Sequence, residues 1–175
     1  MIKCFENEES GRVEAALIFR RSQLLYDIKN CCYVEGDVLR DEGGHHRHLV
    51  QDVGEEGNVD RMTRVLDKCV AKVRENLYAY TKHAIERPEL DDILKERESY
   101  GILLSVPAGF SQTTLTLMER LIHEYLVSEC VADWLSITHP DKMPVWKAKS
   151  EEALAELNAC QAMRMHGVRR KMHPF

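Results

Sequence analysis

Between Phe110 and Ile137, the residues Leu115, Met118, Leu121, Ile122, Tyr125, Leu126, Trp134 and Leu135 recur at mostly helical spacing over a wide face. That pattern belongs to a helix buried on much of its circumference. Its start is marked twice: Ser111 is a good N-cap, and Phe110 before it has staple spacing to Leu115. The periodicity predicts a helix of about 27 residues, ended by Pro140. An element so broadly apolar is expected at the centre of the fold, with other helices around it.

Those helices are read from the same period. Ala16, Leu17, Leu24, Ile28, Cys31 and Cys32 predict a first helix over 13–34, stopped near Gly36. Asn58 is expected to cap a second, with Asp60 in its first turn, and Met62, Val65, Leu66, Cys69, Val73, Leu77, Tyr80 and Ala84 carry its stripe to about Ile85. Leu90, Ile93 and Leu94 after Pro88 predict a short helix, and Ile102, Leu103 and Leu104 form a brief apolar run closed by Pro107 and Gly109. Trp146, Ala153, Leu157 and Cys160 predict a last helix from about Pro144 to Met163, with Gly167 as its cap. No sustained period-2 run of β-branched residues stands out. The expected fold is all-α: one helical bundle of four long helices plus one short helix, with an arm at 1–10, a long loop at 37–58 and a tail at 164–175.

Composition limits the function classes. The chain has 175 residues, 44% hydrophobic and 30% charged, which fits neither a disordered nor a membrane class. No run reaches the roughly eighteen apolar residues that cross a bilayer, and the acidic first residues have no apolar stretch of an export signal. A cytoplasmic protein is expected, and the six cysteines (Cys4, Cys31, Cys32, Cys69, Cys130, Cys160) read as reduced, mostly buried thiols. The formal charge is −5, yet Arg164, Arg169, Arg170 and Lys171 close the chain with no acid beside them, so an acidic body ends in a basic tail.

Candidate sites are few. His45, His46 and His48 lie near Asp41, Glu42 and Asp52 in the glycine-rich loop, and two imidazoles with a carboxylate could hold zinc or another divalent ion, although Arg47 between them opposes a cation. Otherwise they are solvated loop residues. His123-Glu124 begins like a zinc-protease helix, but Val127 stands where the second ligand belongs, and the Glu119–His123 spacing is not that of di-iron bundles. His123 therefore reads as a helix histidine bonded to a neighbour. No glycine-rich phosphate loop or Cys-x-x-Cys string occurs, and no cofactor is expected beyond a divalent metal on the histidines. The tail cations Arg164, Arg169, Arg170 and Lys171 could touch nucleic acid or the acidic surface of a protein partner, a second copy included.

Three strings carry a resemblance: 19–28 (FRRSQLLYDI), 51–61 (QDVGEEGNVDR) and 123–137 (HEYLVSECVADWLSI). They look like small helical proteins of prophage-like gene modules, whose outline is similar to phage head–tail connector or completion proteins that assemble as rings. The resemblance implies a non-enzymatic assembly protein that oligomerises and can enter a virion. Two other readings stay open: a metal-dependent helical-bundle enzyme using His45, His46 and His48, with His123 as a further candidate, and a nucleic-acid-associated regulator acting through the tail. Trp134 and Trp146 read as core residues before interface anchors.

Overall fold

The computed structural model describes residues 2–7, 12–39, 45–77, 98–107 and 109–161. In chain order the elements are β1 (Ile2–Asn7), β2 (Arg12–Arg20), α1 (Arg21–Val38), α2 (His45–Gln51), a single 3-10 turn (Asp52–Gly54), α3 (Glu56–Asn76), β3 (Ser99–Pro107), α4 (Gln112–Thr138) and α5 (Met143–Cys160). The fold is mostly helical, as the apolar periodicity predicts. It is not all-α, because β1, β2 and β3 form an antiparallel sheet with β2 in the middle.

The predicted helix at 13–34 is in fact a strand running straight into a helix. Ala15, Leu17 and Phe19 of β2 are buried in alternation, and they pair across the ladder with Leu104, Ile102 and Tyr100 of β3, also buried. Val13 faces Val106 in the same row. One face of this two-strand core is therefore continuous and apolar, and cross-strand pairs of this kind are what hold a sheet. The apolar Ala16 and Ile18 on the opposite face disguise the alternation, so the segment also satisfies a helical count. The brief run at Ile102–Leu104 is the centre of the partner strand.

From Arg21 onward the helical period is real. Leu24, Ile28, Cys32 and Gly36 line the buried side of α1. Gly36 does not stop this helix; it lets α2 approach, since a Cβ there would sit 2.7 Å from Gln51 Cγ and 3.1 Å from the Arg47 main-chain oxygen. The region expected as a loop at 37–58 thus holds α2 and the 3-10 turn, anchored by buried Val50 and Val53. Glu55, not Asn58, occupies the N-cap of α3, and the Asn58 amide instead donates to the Asp52 main-chain oxygen at 2.8 Å. α3 closes at Asn76, short of the expected Ile85, with Leu77 N–H bonded to the Val73 oxygen. The short helix predicted after Pro88 and the Gly167 cap lie outside the described residues.

α4 fulfils its sequence signals. It spans 27 residues, and Thr114 N–H donates to the Ser111 hydroxyl at 3.4 Å. Buried side chains run along it from Thr114 to Leu135, and one core joins it to the inner face of the sheet, α1, α3 and α5. Both tryptophans serve as ties. Trp134 is buried and donates from Nε1 to the Val50 oxygen at 2.8 Å, while half-buried Trp146 donates to Glu35 Oε1 at 2.9 Å. Among the described residues no helix is long and apolar enough to cross a membrane.

Candidate functional site

α3 and α5 both pack on α4, one on each side, and hardly on each other. Between them lies a groove of about 930 Å³, floored by α4 together with buried Cys69 of α3. The helices converge at one end, where the Gln161 amide donates to the Asn76 main-chain oxygen at 3.2 Å. At the other end Gly57 and Asp60 of α3 and Met143 of α5 form an open mouth.

The α3 wall is cationic. Arg61, Arg64, Lys68 and Lys72 stand at helical spacing along it, and Lys147 faces them from α5. Two of these five are neutralised: Arg61 pairs with Asp133 at 2.8 Å, and Lys147 with Glu129 at 2.6 Å. Arg64, Lys68 and Lys72 have no carboxylate within ion-pair distance among the described residues, and Asp60 at the mouth is the one further acid in the lining. Lys72 lies over the Tyr125 ring, 5.7 Å from its centroid.

Three groups on the floor have unusual settings. Glu129 is pulled toward the neutral form by burial, but hydrogen bonds from Lys147 and Ser150 outweigh this and hold its carboxyl below the ordinary range. The Tyr125 hydroxyl is buried with no oxygen or nitrogen partner, only the Cys69 thiol, and burial pushes its phenol well above the ordinary value. Cys69 is shifted down because the Cys130 thiol hydrogen-bonds to it, which overcomes the opposing effect of burial; Lys72 helps. Cys130 moves the other way, driven first by its own burial. Cys69 thus departs from the other described thiols, Cys31, Cys32 and Cys160 being raised by burial as well, Cys32 to about 12.

The sites predicted from sequence fall elsewhere. His45, His46 and His48 belong to α2, where His46 and His48 are exposed and nothing is described of the His45 side chain. Among the described residues no group of three or more His, Cys, Asp or Glu side chains is arranged to hold a metal. His123 is bonded as expected, with Nε2 at 3.1 Å from Asp27 Oδ2 of α1. Arg164, Arg169, Arg170 and Lys171 lie outside the described residues. The apolar stripe of α3 does not reveal the groove; the signal for it in the sequence is the cations at 61, 64, 68 and 72.

No match was found. Protein-family models, curated proteins and solved structures were all compared with this chain, without a similar protein in any of the three.

A second surface stands out on α1. Its solvent face carries Tyr26, Tyr33, Val34 and Val38, each 53–65% exposed. Tyr26, Lys29, Tyr33 and Asp37, all exposed, follow one another at helical spacing along one line. Asp37 is ion-paired with Arg47 and still half-exposed.

Proposed function

We propose that this chain is a non-enzymatic assembly protein that joins copies of itself through the outer face of α1. The observation that carries the reading is the group of large apolar side chains left in solvent on that helix, Tyr26, Tyr33, Val34 and Val38, since exposed apolar surface marks interaction sites and tyrosine is enriched in them. A second copy is the occupant favoured by charge. Two antiparallel α1 helices centred on Tyr33 would set Lys29 of each copy against Asp37 of the other, the self-complementarity that a two-fold contact requires. The likeness of the three sequence strings to proteins of prophage-like modules favours a phage-type head–tail or tail-adaptor component as the setting.

The pairing is tested by replacing Tyr33 with cysteine. Under mild oxidation Tyr33→Cys is expected to yield a covalent dimer, whereas Tyr26→Cys, offset from the two-fold axis, yields far less. Equal cross-linking at both positions, or none at Tyr33, refutes the arrangement. The wild-type chain provides the background, its described cysteines being buried or half-buried.

A further inference from the structure

We propose that the α3–α5 groove binds a small molecule carrying two or more adjacent phosphates, held by Arg64, Lys68 and Lys72 and by the Tyr125 hydroxyl. This is independent of the α1 contact.

Four observations lead to it. First, three cations with no carboxylate within ion-pair distance among the described residues share one face of α3, and successive members are about 6 Å apart along the axis at 1.5 Å per residue. A single carboxylate would engage one of them; a chain of phosphates engages all three. Like charges held this close on a chain of net −5 repel one another until an anion arrives. Second, the Tyr125 side chain is 1% exposed and lines the groove, and its hydroxyl has no oxygen or nitrogen partner, only the Cys69 thiol, a weak one for a buried hydroxyl. An acceptor oxygen delivered by a ligand would satisfy it. Third, beyond the lining residues the Gln161 amide bonds the Asn76 main-chain oxygen, which ties the far ends of the two walls together. Fourth, about 930 Å³ falls within the range of small-molecule sites, and Val65, Ala132 and Met143 offer apolar contact for whatever carries the phosphates.

The remaining groups explain selectivity. Glu129 and Asp133 are hydrogen-bonded by Lys147 and Arg61, which ties the two walls to α4, and Lys72 adds a longer-range attraction to Glu129. Asp60, exposed at the mouth, disfavours anions there and steers the phosphates inward.

The test is calorimetric titration of the full chain with inorganic pyrophosphate and with ADP. ADP is expected to bind one per chain and to slow alkylation of Cys69 on the floor. Lys68→Ala and Lys72→Ala should each weaken it tenfold or more. These side chains are exposed, so folding is not at stake. Tyr125→Phe should also weaken binding several-fold, with a melting temperature equal to or above that of wild type, a combination that a purely structural role would not give. Pyrophosphate bound as tightly as ADP also meets the proposal and identifies the free anion as the ligand. Absence of saturable binding of both probes at millimolar concentration overturns it, as does binding unchanged by all three substitutions. A single-stranded oligonucleotide whose affinity grows with length, displacing ADP, would likewise overturn it in favour of a nucleic-acid track.

Discussion

The indole of Trp134 donates to the main-chain oxygen of Val50 at 2.8 Å, which fixes α2 to the end of the central helix. The bond joins residues 84 positions apart and is buried, so its loss leaves a carbonyl without a partner inside the protein. Trp134→Phe is expected to cost about 1–3 kcal/mol. Denaturant unfolding measures the cost, and amide exchange should show α2 opening ahead of α3.

Gly36 tests the closeness of α1 to α2. A methyl group there meets Gln51 and the Arg47 backbone at distances that real Cβ atoms avoid. Gly36→Ala should destabilise by about 1–3 kcal/mol despite its better helix propensity, whereas Gly57→Ala, which meets nothing within 4 Å, should not. Chemical denaturation of the two variants makes the comparison.

Glu129 carries a pH signature. Its carboxyl titrates lower in the folded chain than in the unfolded one, so its contribution is complete above the ordinary carboxylate pKa and is lost as pH falls through the folded value. Wild type should therefore exceed Glu129→Gln in stability near pH 7, and the gap should shrink in acid. Urea titrations at pH 7 and pH 3 check this, and a gap that widens on acidification contradicts the assignment.

Cys69 should be the most reactive of the described thiols per unit of exposure. With Cys130 hydrogen-bonded to it, the rate of alkylation by iodoacetamide is expected to rise with a midpoint below 9, and Cys130→Ala should shift that midpoint upward. The rate profile against pH, followed by peptide mass, decides it.

How much of this was legible in the sequence follows from what each feature depends on. The α4 cap needs only Ser111 and Thr114, three residues apart, so local chemistry predicts it. The β2 strand needs a partner more than eighty residues away: Val13 to Phe19 alone fits either period, and only pairing with Tyr100 to Val106 decides between them. In the groove, the cations of α3 are written in the sequence at helical spacing. That the Tyr125 hydroxyl meets only the Cys69 thiol is not, because it depends on how α3 packs against α4.

The central claim is that copies of this chain associate through α1, and native mass by light scattering tests it most directly. The account predicts a multiple of 20.2 kDa that persists at high salt, since the contact is mainly apolar, and that falls to the monomer in Tyr33→Asp with the thermal transition unchanged. A 20.2 kDa species at every protein concentration and salt would contradict it.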